Sequence, residues 1–167
     1  MKKAKPIPEG HHTVTAYLVV RGASEAIAFY KEAFGAREVM RMACPISGRL
    51  MHAEIKIGDS FVYLSDEFPD MGNKSPQTLG GTPAGLCLYV ENADAVFNQA
   101  VSAGAQVKMP LMDAFWGDRY GQVVDPFGHL WSIATHLEDL TPEEIGKRSE
   151  EFFANMGKQQ AAAAGKA

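Results

Sequence analysis

Five histidines supply most of the metal and proton chemistry open to this chain: His11, His12, His52, His129 and His136. His52 matters most, because the run Arg49 to Ile57 alternates. Met51, Ala53, Ile55 and Ile57 fall on one side of it, with His52, Glu54 and Lys56 on the other. A strand there places His52 and Glu54 on one face, where they could offer two ligands to a metal. His11 and His12 lie in a polar N-terminal segment, and His129 lies at a turn. Arg119 is the candidate anion binder, its guanidinium suited to a bidentate carboxylate or phosphonate. Asp118 or Asp125 could instead pair with it inside the protein. Trp116, Tyr120 and Trp131 offer flat surfaces to an aromatic ligand. Nucleophilic catalysis is not legible: Ser65 and Ser132 have no base evident in the sequence. Cys44 and Cys87 lack metal or redox spacing and read as small, reduced core residues. Gly80-Gly81 precedes no helix, so it makes no phosphate loop.

The elements that must hold these residues occur twice. Ala16 to Val39 reads AYLVVRGASEAIAFYKEAFGAREV, and Leu86 to Val107 reads LCLYVENADAVFNQAVSAGAQV. Each is an apolar run, a polar break, an amphipathic helix, Gly-Ala and a new strand, and Gly104-Ala105 follows Gly35-Ala36 by 69 positions. Two copies of that length suit half-domains about a pseudo-twofold axis better than a solenoid. In the first half, Val14–Val20 is a strand, Ser24 can cap a helix with Ile27, Tyr30 and Phe34 on its apolar stripe, and Gly35 closes it. Strands over 37–43, 49–57 and 61–66 follow, the last two joined by the turn Gly58-Asp59-Ser60. In the second half the strands are 86–90, 106–112, 119–124 and 130–135, with a helix over Ala93, Val96, Phe97 and Ala100. Setting Ile57 against Val124 puts His52 opposite Arg119, facing one cavity. Thr141-Pro142-Glu143-Glu144 is a capping box opening a C-terminal helix. Ile145, Phe152 and Met156 form its apolar stripe, which is expected to dock on the sheet or a second subunit.

The chain has 167 residues, the length of one domain, and is 46% apolar, 22% charged and 10% aromatic, with mean hydropathy −0.14. A net charge of −4 argues against nucleic acid, and no apolar run reaches the ~20 residues that span a bilayer. The basic start lacks a secretory apolar region, so a cytoplasmic location is expected. The organisation read here is a single domain over 1–136, with modules at about 13–68 and 84–136 and a linker over 69–83. A helical extension follows over 137–158, and an Ala-rich disordered tail over 159–167.

A doubled strand-helix-strand-strand-strand unit resembles the vicinal oxygen chelate superfamily, which includes glyoxalase I, bleomycin-resistance proteins and extradiol dioxygenases. AIAFYKEAFGA and WGDRYGQVVDPFGHLWSIATH carry the resemblance, and they look like the PhnB-like branch. It implies an α+β fold of two βαβββ modules forming a cupped mixed sheet around a cavity, commonly as a homodimer. In metal-dependent members the first and last strand of each module hold a divalent ion through His or Gln and Glu. Carried onto this chain, those positions fall near Thr15 and Gly85 on the first strands, and on Tyr63 and Ser132 on the last. Thr, Gly, Tyr and Ser do not make a transition-metal site, so neither a metal nor any other cofactor is expected. The resulting expectation is a small-molecule-binding protein using His52, Glu54, Tyr63, Trp116, Arg119, Tyr120 and Ser132. One alternative is a lyase, isomerase or dioxygenase with a displaced metal at His52 and Glu54. The other is a dimeric interaction module using the C-terminal helix.

Overall fold

The computed structural model describes residues 4–164, with side chains through Lys158. The first half runs β1 (Ala16–Val20), α1 (Ala23–Phe34), β2 (Arg37–Ala43), β3 (Leu50–Ile57) and β4 (Ser60–Asp66). A linker holding the single-turn α2 (Pro76–Leu79) leads to β5 (Gly85–Tyr89), α3 (Ala93–Ser102), β6 (Gln106–Asp113), β7 (Asp118–Val124) and β8 (Leu130–His136). Each half forms its own four-stranded mixed sheet, ordered β1-β4-β3-β2 and β5-β8-β7-β6. In both, the first strand lies parallel to the last and the other neighbours are antiparallel. The two modules expected from the repeat are therefore present with matching strand order.

α1 and α3 pack on each other, and each contacts the strands of its own module. Ile27, Tyr30 and Ala33 of α1 share one core with Ile55 and Leu64 of the first sheet and Trp131 and Ile133 of the second. The Phe34 and Trp131 rings lie 4.6 Å apart. Trp131 is thus core and offers no surface to a ligand, correcting the expectation for it. The cysteines also depart from expectation. Both are free, with Cys87 exposed on β5 and Cys44 half-buried in the β2–β3 turn. Met51 is half-exposed while Ala53, Ile55 and Ile57 are buried. The β2–β3 register jumps there, pairing Met42 with His52 and then Ala43 with Leu50, so Met51 is the extra residue of a bulge.

The buried carboxylate of Asp125 ties the halves together. It accepts from the Tyr30 hydroxyl at 2.8 Å, from Trp131 Nε1 at 2.8 Å, and from the amides of Phe127 and His129 at 2.9 Å each. Burial, and then the charge of Asp125, push the Tyr30 hydroxyl well above its ordinary pKa. Caps also obey the repeat. Ser24 does not cap α1; instead Asp66, at the end of β4, accepts from the amides of Gly22 and Ala23 at 3.0 and 2.9 Å. Thr135, 69 positions on, accepts from Ala93 N at the start of α3.

The capping box opens α4 (Pro142–Ala164): Glu144 N donates to Thr141 Oγ1, and Thr141 N and Oγ1 donate to Glu144. The helix runs past residue 158 because an Ala-rich segment has high helix propensity. Residues 165–167 of the expected tail lie outside the described residues. Phe152 is half-buried, 5.6 Å from the Phe115 ring, while Phe153 and Met156 stay 59% and 40% exposed. This helix does not bury its stripe on the sheet. Its attachments include Phe115 and the Arg148–Glu138 ion pair.

Asp125→Ala strands two buried side-chain donors. Chemical denaturation should show a loss of about 3 kcal/mol or more, with Tyr30→Phe costing less. Phe152→Ala should cost only about 1 kcal/mol in the same assay, since the ring covers a rim contact and not a core position.

Candidate functional site

The sheet faces turned away from the helices carry the polar and aromatic residues. On the first sheet, β1 and β4 pair Tyr17 with Tyr63, and β3 pairs Glu54 with Tyr63. The Tyr17 hydroxyl lies 3.2 Å from His52 Nδ1, and Glu54 Oε1 lies 3.3 Å from His52 Nε2. A tautomer protonated at Nε2 satisfies both contacts. Burial, and then Glu54, raise the Tyr63 pKa. His52, Glu54 and Tyr63 are therefore brought together, as their shared face implies.

Arg119 is not with them. Tyr63 and Ser132 are counterparts, and their strand partners are Glu54 and Gln122. His52 thus corresponds to Tyr120, 68 positions on, whereas pairing Ile57 with Val124 assumed 67. A one-residue slip moves a strand side chain to the opposite face. Arg119 accordingly points toward the helices, donating to Asp94 of α3 at 2.8 and 3.0 Å and to Asp113 at 3.2 Å. Neither Asp118 nor Asp125 is its partner. Its hydrogen bonds to Asp94 raise its pKa and make it a link between α3 and the second sheet.

The outward face of the second sheet has two connected centres. Tyr120 Oη and Ser132 Oγ are 2.8 Å apart, and Gln122 Nε2 donates to both, at 2.9 and 3.2 Å. Beside them Asp118, only 3% exposed, accepts from Tyr89 Oη at 2.9 Å, Trp116 Nε1 at 3.0 Å and His136 Nδ1 at 2.8 Å. Burial opposes charge on Asp118, but the donors His136, Tyr89 and Trp116 together hold its carboxyl below its usual range. The Trp116 and Tyr120 rings meet edge to face at 5.2 Å. One buried carboxylate thus fixes the orientation of two aromatic rings and an imidazole. Sequence reasoning found Trp116, Tyr120 and Ser132 but missed Tyr89 and His136 as members of this face. Strand parity carried the signal, since His136 is four residues beyond Ser132 and Asp118 is two before Tyr120.

A cavity of about 900 Å³ opens between the edges of β1 and β5, with Thr15 and Gly85 at its wall and Phe34 and Val62 among its lining. Tyr63 and Ser132 do not line it, so the four positions carried over for a metal do not converge in one chain. Tyr17 and Cys87 are the residues paired across from Tyr63 and Ser132. Two tyrosines on one sheet, and a serine and a thiol raised in pKa by burial on the other, do not fit the family's His and Glu ligand set. Among the described residues no group of three His, Cys, Asp or Glu side chains is arranged to hold a metal ion. His52 and Glu54 remain a pair without a third ligand.

Residues 10–133 match the model of the Glyoxalase/Bleomycin resistance protein/Dioxygenase superfamily, and the chain belongs to that family. An uncharacterized protein of Mycobacterium tuberculosis is 45% identical over 135 residues, covering 79% of this chain and 79% of the relative. The crystal structure of TioX from Micromonospora sp. ML1 is similar at a TM-score of 0.58 and 25% identity, covering 78% of this chain and all of that one. A PhnB protein from Bacillus cereus shares the fold at a TM-score of 0.55 and 19% identity, over 74% of this chain and 99% of its own. No helix among the described residues is long and apolar enough to cross a membrane.

Asp118 dominates the environment of His136 and raises its pKa, with Asp139 second. In Asp118→Asn the imidazole should titrate at lower pH than in the parent chain, as followed by the His136 ring protons in an NMR titration.

Proposed function

We propose that this protein binds a small aromatic compound on the outward face of its second sheet and does so without the metal used elsewhere in its superfamily. The observation that carries this reading is Asp118, whose buried carboxylate holds Tyr89, Trp116 and His136 in place. Rings fixed in advance lose little freedom on contact with a flat ligand, so more of the stacking energy appears as affinity. Tyr120, Gln122 and Ser132 add hydroxyl and amide groups that can orient a ligand's polar substituent. The donor set at the family's metal positions favours a binding role over metal-assisted lyase or isomerase chemistry.

The protein acts as a homodimer in this reading. β1 and β5 are unpaired edges flanking an apolar-floored groove, and a second copy is the partner that would cover them. The exposed Phe153 and Met156 of α4 can add to that contact.

A thermal-shift comparison tests the binding reading, because a ligand of the folded state raises the melting temperature as concentration exceeds Kd. After a chelator wash, a neutral two-ring aromatic such as 1-naphthol should stabilise the protein, and Trp116→Ala should lose most of that shift. Zinc, nickel or manganese should give no comparable shift. Stabilisation by a stoichiometric metal, with none by aromatics, would overturn the reading.

A further inference from the structure

The Asp118–His136 pair has one more partner. His136 Nδ1 donates to the buried Asp118, and this leaves Nε2 pointing outward, 3.1 Å from Asp139 Oδ1. His136 is about half exposed and Asp139 is fully exposed. Both ring nitrogens face carboxylate oxygens, an arrangement that favours the doubly protonated imidazolium over the neutral ring. Hydrogen bonds to Asp118 and then to Asp139 raise its pKa, in keeping with that geometry. Its place on β8 matters, since residues 132, 134 and 136 share one face, and that face also carries Tyr120 and the ring of Trp116.

We propose that His136 Nε2 is the docking point for the carboxylate of an aromatic acid whose ring lies against Trp116 and Tyr120, and that Asp139 occupies that point in the free protein. The proposal rests on the aromatic-binding reading of this face and names its ligand class. Three observations converge on it. The donor is oriented by a buried carboxylate, which fixes its direction as well as its charge. The rings stand beside it on the same carboxylate: Trp116 Nε1 and Tyr89 Oη bind Asp118 Oδ2, while His136 binds Oδ1. The present occupant is also weakly held. An ion pair between an exposed aspartate and a half-exposed histidine three residues away is readily exchanged for another carboxylate.

The segment carrying Asp139 is anchored independently of that contact. The amides of Leu137 and Glu138 donate to Gly117 O at 2.9 and 3.0 Å, and Arg148 of α4 pairs with Glu138. Gly117 has a φ of 95°, and a Cβ on it would lie 2.6 Å from Glu138 O, so the backbones meet closely there. Releasing Asp139 therefore frees the imidazole without detaching the segment. The other charged or titratable groups around His136 are Asp118 on β7 and, through Asp118, Tyr89 and Cys87 on β5. The Glu138–Arg148 pair lies on the α4 side. Tyr89 and Cys87 are both raised in pKa, so neither competes with His136 for a proton near neutral pH. Deprotonating His136 weakens the charge-assisted bond, and carboxylate affinity should fall as pH rises through its titration.

The test is an NMR titration of the full chain with phenylacetate and with phenylacetamide, its uncharged counterpart. At about pH 6, phenylacetate should bind at least about tenfold more tightly and move the His136 ring resonances. The preference should shrink as pH rises and His136 loses its proton. His136→Gln should bring phenylacetate down to about the affinity of the amide. Asp139→Asn should tighten phenylacetate about two- to fivefold by removing the internal competitor. Equal binding of the two probes, a preference that survives in His136→Gln, or an Asp139→Asn chain that binds phenylacetate no better overturns the proposal. In each of those cases aromatic binding at Trp116 can still stand. Failure of both probes to perturb the Trp116 indole overturns the proposal and the aromatic reading together.

Discussion

A single buried carboxylate governs how the two modules meet. Asp125 sits at the first position of the turn before β8, yet it accepts the Tyr30 hydroxyl from the helix of the other module and the Trp131 indole from its own sheet. A carboxylate this buried is tolerated only when its lone pairs are satisfied, and the turn supplies two amides for the purpose. The geometry then leaves little choice. Tyr30 must face module two, α1 must lie against α3, and each sheet must cover its helix from outside. Phe34, packed on Trp131, closes the same contact with apolar surface.

That arrangement decides where chemistry can happen. With the helices between them, the sheets turn their other faces outward, and strand alternation sends His52, Glu54 and Tyr63 out on one side and Tyr120, Gln122 and Ser132 out on the other. Metal-binding relatives need ligands drawn from both modules around one point. Here the positions carried over, Thr15, Gly85, Tyr63 and Ser132, offer hydroxyls and a phenol but no imidazole or carboxylate, and Tyr63 and Ser132 lie on separate sheets. A second buried carboxylate, Asp118, orders the outward face of the second sheet. It orients Tyr89, Trp116 and His136 from beneath, so the surface they form is rigid before any ligand arrives.

Much of the fold was legible because it is written twice. The spacing from Gly35 to Gly104 located both helices, and the apolar stripe Ile27, Tyr30, Phe34 proved to be core. Local helix signals held where the cap was local, as with Thr141 and Glu144. They failed where the cap came from a distant strand, as when Asp66 displaced Ser24 from that role. The site was less legible for a geometric reason. Strand side chains change face with each residue, so aligning Ile57 with Val124 one position out of register sent Arg119 to a cavity when it belongs with Asp94. Composition could not show that Trp131 is buried and Trp116 is not. That difference follows from the turn that places Trp131 against α1.

The central claim is that the face built on Asp118 is the ligand-binding surface and works without metal. The two indole N–H groups report on it directly, because Trp116 donates to Asp118 on that face and Trp131 donates to Asp125 in the core. Their ¹⁵N–¹H resonances should be followed while a neutral aromatic is titrated into the full chain with excess chelator present. The account predicts a saturable shift at Trp116 with Trp131 unmoved. A shift at neither indole, or one that vanishes when chelator is added and returns with a divalent metal, would contradict it.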